Sequence, residues 1–153
     1  MQVFLFIILL ANSFIGYVGF RFLNRSRLLF SDRFGFIVAL TGSSILGIVT
    51  SLHLFLLFPT NLGMMSALNM TIGILIGMAF GSILNTQSLI AGFFNGGVAG
   101  MMGTMIGAVA LNPAICGLPP SAFTEQSTLL VLGLFSFILL SLTFGLLCFA
   151  LRV

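Results

Sequence analysis

The chain has 153 residues, of which 59% are hydrophobic and 5% charged, with a formal net charge of +3. A water-soluble domain of this length covers its surface with far more charge, so most of this chain must lie in lipid. The positive balance does not point to nucleic acid: four of the five basic residues are arginines crowded into residues 21–33, and the fifth is Arg152. Arginines beside apolar runs mark membrane topology and meet anionic headgroups.

A helix that crosses the hydrocarbon core needs about 20 apolar residues. The first such run is residues 2–22. Its positive charge follows the apolar stretch and no small-x-small cleavage pattern precedes Arg21, so it is expected to be a retained span and not a removed leader. Residues 21–33 alternate arginine with Phe and Leu, which suits an ordinary basic loop or a segment lying along the inner interface. The second run, residues 34–58, follows the helix-starting pair Ser31-Asp32 and stops at Pro59. No Asp, Glu, Lys or Arg occurs from Phe34 to Thr124. The third run is residues 62–84 and the fourth residues 89–111. The connection Asn85–Ser88 is so short that these two form a tight antiparallel hairpin or a re-entrant pair. A loop held by three prolines and Gly117 leads to the fifth run, residues 127–151.

The expected fold is therefore an all-α integral membrane protein: one transmembrane domain over residues 1–153 with about five transmembrane helices. An odd number of spans puts residues 21–33 and Arg152 on the same side. The positive-inside rule then sets the N-terminus outside and the C-terminus in the cytoplasm, in what is expected to be a bacterial inner membrane. Cys116 and Cys148 fall on opposite sides, too far apart for an intrachain disulfide.

Glycine is the most informative residue. On a wheel of about 100° per residue, Gly92, Gly96, Gly100, Gly103 and Gly107 share one face of the fourth span. Gly73, Gly77 and Gly81 share one face of the third, with Met70 on the same side. Lipid tails are as apolar as leucine, so helices associate in a bilayer where small residues let backbones approach. Two such grooves joined by a short turn predict a Gly-zipper hairpin, facing inward or mating with a second copy. Such a seam also lets helices slide, as a channel or transporter requires.

Met101, Met102 and Met105 lie opposite the fourth span's glycines, and Met64, Met65, Met70 and Met78 belong to the third span or its entrance. Thioether sulfur suits Cu(I), so Met101 and Met105 are candidate copper ligands, with Cys116 and His53 as possible additions. The favoured reading is flexible apolar filling with no cofactor, and copper is the weaker alternative. No CxxC, histidine cluster or methionine-rich loop supports a metal.

No charged group stands at the centre of a span, which disfavours a proton-driven pump. Asp32 and Glu125 sit at span starts, where a helix dipole favours negative charge. His53, Asn69 and Asn95 are the candidate polar path, with Asn12, Thr41, Ser43, Ser44, Thr50, Ser51, Ser136, Ser141 and Thr143 as further polar groups. Their simpler role is hydrogen bonding between helices. No catalytic triad, phosphate loop, paired carboxylates or zinc spacing is present; an enzyme would have to use His53, Cys116 and Glu125. The expected function is a small transport or channel protein for a small solute or ion. It would act in the lipid bilayer as a homo-oligomer or with a membrane-protein partner. The alternative is a structural or accessory subunit whose glycine grooves seat another membrane protein.

Overall fold

The computed structural model describes residues 2–26, 32–83, 85–117 and 125–150. Residues 27–31 of the arginine segment, the second part of the proline loop and Arg152 lie outside the described residues, as do the side chains of Asp32 and Glu125. The described chain is all-helical, without strands: α1 (Gln2–Arg25), α2 (Asp32–Leu57), α3 (Leu62–Gly81), α4 (Thr86–Leu111) and α5 (Glu125–Ala150). All five are long and apolar enough to cross a membrane.

Local chemistry sets the helix ends. Pro59 lacks an N–H and biases Phe58 away from helical backbone, so α2 stops at Leu57. Asn61 starts α3 by accepting the Gly63 N–H on its side chain at 3.2 Å. At the other end of α3, the Ser82 N–H reaches the Met78 carbonyl at 2.8 Å and the chain turns at once into α4. After α4, the Asn112 side chain accepts the Ala114 N–H at 3.2 Å and opens a 3-10 turn over Pro113–Cys116. Gly117 closes that turn with φ 67°, a left-handed conformation that glycine adopts without Cβ strain. Three boundaries differ from hydropathy by three residues, one of them the start of α4, at Thr86 instead of residue 89. α1 runs on to Arg25, because arginine favours helix and extends its long stem to the interface. α3 ends at Gly81, where the tight turn takes over.

α2, α3 and α4 pack on one another as a block. α1 rests on α2 and α5, and α5 reaches α2 and, least of all, α4. α2 is the hub: 61% of its most apolar stretch is buried, against 22% to 39% in the other four helices.

Backbones meet inside the block. A Cβ at Gly77 would overlap the Gly92 carbonyl, one at Gly96 the Gly73 carbonyl, and one at Gly100 the Asn69 carbonyl. Gly81 stands equally close to the backbone of Ser88 and Leu89. The last two glycines of α4 meet a different helix. Gly103 abuts the Ile48 carbonyl and the Ser51 Cβ of α2, and Gly107 faces the Phe55 ring of α2. Beyond Gly100, α2 and its bulky Phe55 occupy that face of α4. At the level of Gly100 the buried α3 side chain is Asn69, while Met70 is 38% exposed.

Three apolar clusters fill the rest. Leu23, Val38, Leu46, Phe80, Ile83, Leu140, Phe144 and Leu147 pack toward the α3–α4 turn, where Phe20 meets Phe80 edge-on at 5.3 Å between centroids. Toward the other end, Leu5, Leu52 and Leu56 form one cluster, and Phe55, Met65 and Ala108 another.

Candidate functional site

Between those apolar clusters lies a layer of buried polar side chains to which every helix contributes. It comprises Asn12 of α1, Thr50, Ser51 and His53 of α2, Asn69 of α3, Thr104 of α4 and Ser136 of α5. Each is at most 8% exposed. On four of the five helices apolar neighbours bracket it: Leu5 and Leu23 on α1, Leu46 and Leu56 on α2, Met65 and Phe80 on α3, Leu129 and Leu140 on α5.

The block side of the layer is organised by Asn69. Its Nδ2 donates to the Thr104 Oγ1 at 2.8 Å and to the Ser51 carbonyl at 3.1 Å, tying three helices together. Thr104 donates in turn to the Gly100 carbonyl at 3.0 Å. The close approach of α3 and α4 brings the short Asn69 side chain within reach of both partners. Asn69 Oδ1 and Ser51 Oγ are buried with no hydrogen-bond partner.

The other side of the layer lies between α2 and the α1–α5 pair. His53 Nδ1 stands 2.8 Å from the Val49 carbonyl, which requires the proton on that nitrogen and leaves Nε2 as an acceptor in the neutral ring. Nε2 faces the Ser136 hydroxyl at 3.5 Å, and that hydroxyl donates to the Gly133 carbonyl at 2.8 Å. Thr50 is bonded to the Leu46 and Gly47 carbonyls of its own helix.

Asn12 belongs to this side by register. Ile8 of α1 packs on Gly133 of α5, and Gly19 on Phe144, so the two helices run parallel. One turn beyond Ile8 is Asn12, and one turn beyond Gly133 is Ser136. Gly16 of α1 packs on Leu46 of antiparallel α2, which sets Asn12 at the level of Thr50, one turn from His53. The Asn12 side chain is 0% exposed, and neither Nδ2 nor Oδ1 has a hydrogen-bond partner. A buried amide atom left unbonded costs roughly 1–3 kcal/mol. Asn12 leaves both of its atoms in that state.

Asn95 forms a separate node two turns along α2. Its Nδ2 lies 2.9 Å from the Leu40 carbonyl and 3.2 Å from the Ser43 Oγ, and also bonds the Ser44 Oγ. His53 and Asn69 therefore share the layer, on opposite faces of α2, and Asn95 does not. The methionines point outward: Met101, Met102 and Met105 are 37%, 54% and 52% exposed. Cys116 is exposed in the 3-10 turn, away from fully buried His53. Among the described residues, no three or more His, Cys, Asp or Glu side chains gather. Thr104 is the layer residue that sequence reasoning missed; its signal is its position one turn after Gly100 on the glycine face of α4.

The described charged side chains, Arg21, Arg25 and Arg33, all stand at helix ends. Apart from the imidazole of His53, the layer consists of neutral amides and hydroxyls. α5 and α4 are held apart by a cleft of about 370 Å³ lined by Ile106, Val109, Ala110, Ser127, Thr128, Val131 and Leu132. No family model, curated protein or solved structure matches this chain.

Proposed function

We propose that this is a small polytopic transport or channel protein that passes a small, uncharged, hydrogen-bonding solute and acts as an oligomer. The observation that carries the proposal is Asn12: a fully buried amide with neither atom bonded, at the level of Thr50 and one turn from His53. A passing solute supplies the missing bonds. Asn12 Oδ1 accepts its N–H or O–H, Asn12 Nδ2 donates to its oxygen, and His53 Nε2 offers a second acceptor. In a low-dielectric interior these bonds replace the solute's hydration.

Passage requires the α1–α5 pair to shift against α2. The α3–α4 seam, in this proposal a Gly-zipper hairpin, moves as one unit in place of the sliding its glycines alone suggest, and the loosely joined α4–α5 boundary is the yielding one. The N-terminus faces outside and the C-terminus the cytoplasm of a bacterial inner membrane, following the arginines.

The test is flux. Protein reconstituted in vesicles is assayed by stopped-flow light scattering with urea, glycerol and formamide, and for potassium with an ion-selective dye. At least one neutral solute should cross faster than in empty vesicles, and Asn12→Leu should remove the excess at equal protein incorporation. No excess flux for any neutral solute rejects the proposal. If a foreign membrane protein then co-purifies in fixed ratio, the accessory-subunit alternative takes its place.

A further inference from the structure

A second site lies at the opposite end of the bundle from the α2–α3 loop, where α2 and α4 begin. A cleft of about 450 Å³ is lined by Arg33, Phe36 and Ile37 of α2 and by Asn85, Gln87 and Ser88 at the start of α4. We infer that this cleft binds the headgroup of an anionic glycerophospholipid, a phosphodiester carrying a neutral hydroxylated group.

Three features of the cleft point to that occupant. Among the described residues its charged lining side chain is the exposed Arg33, and a planar guanidinium engages phosphate oxygens in pairs. Gln87 adds an amide suited to a hydroxyl group, and a single guanidinium favours a headgroup of net negative charge over a zwitterionic one. The chemistry also changes with depth in the order of a phospholipid. Phe36 and Ile37, 40% and 51% exposed, stand about one turn (roughly 5.4 Å) further along α2 than Arg33, on the membrane side. A free phosphate would use the guanidinium and leave that apolar wall unused; a lipid uses both.

The protein is purified in mild detergent, stripped of lipid and offered phosphatidylglycerol, phosphatidylcholine or inorganic phosphate. Native mass spectrometry reads the bound lipid and thermal unfolding reads the stabilisation. The unaltered protein should retain phosphatidylglycerol about fivefold more than phosphatidylcholine, and Arg33→Gln should remove that preference. Arg25→Gln deletes the same charge outside the cleft and should leave the preference in place. Gln87→Leu provides a second cleft variant, expected to lower retention, should Arg33→Gln not accumulate. Equal retention of the two lipids, or an equal loss in Arg25→Gln, overturns the inference. So does inorganic phosphate stabilising the protein as much as phosphatidylglycerol does.

Discussion

The two halves of this bundle are held together differently. In the α2–α3–α4 block, backbone meets backbone: Gly77 lies against the Gly92 carbonyl and Gly96 against that of Gly73. In the α1–α5 pair, side chains fill glycine notches instead, Phe144 at Gly19 and Ile8 at Gly133, and Leu46 of α2 does the same at Gly16. The polar groups follow suit. Asn69 and Asn95 each bond across helices within the block, whereas Asn12, facing the pair, bonds nothing. A Cβ added in the seam meets a carbonyl, which cannot move aside, whereas one added in the pair meets the end of a phenylalanine or isoleucine, which can change rotamer. The same residue type thus sits at an intolerant contact in one place and an adaptable one in another.

Substitutions can break or sharpen this contrast. The largest effect is expected at Gly77→Leu, where even the Cβ overlaps backbone. It should destabilise by more than about 4 kcal/mol, read as loss of folded protein in mild detergent. Asn69→Leu comes next. It removes bonds to Thr104 and Ser51 and should cost about 1–3 kcal/mol in a reversible unfolding assay. Asn12→Leu should go the other way. Removing an amide that bonds nothing should leave stability unchanged or raise it by about 1 kcal/mol, while flux is lost. A fall comparable to that of Asn69→Leu would show that Asn12 is structurally bonded and would remove its functional role. Gly145→Ala is the smallest change. Nothing lies within 4 Å of its Cβ position, and the effect should stay within about 0.5 kcal/mol.

Periodicity made the helices legible, because apolar runs bounded by Pro59, Asn61 and Asn112-Pro113 carry their own start and stop chemistry. It also showed which face of α3 and α4 is small. It could not show which neighbour takes that face, and Gly103 and Gly107 meet α2 although their spacing continues that of Gly100. Asn69 stands one turn before Gly73 and so prolongs the spacing of four, a signal that identifies it as a seam residue ahead of Met70. Its bond to Thr104, 35 residues away, follows from the register of two helices, which composition does not encode. Asn12 was legible as an amide within an apolar run. That it stands level with Thr50 and one turn from His53 depends on how α1 packs on antiparallel α2.

The hub position of α2 has a consequence for biogenesis. Ribosomes deliver this helix before three of the four elements that cover it. Until α3 is made, the Ser51 carbonyl lacks the Asn69 amide, and until α5 is made His53 lacks Ser136. The nascent α2 therefore carries these polar groups uncovered until α3 and α5 pack on it.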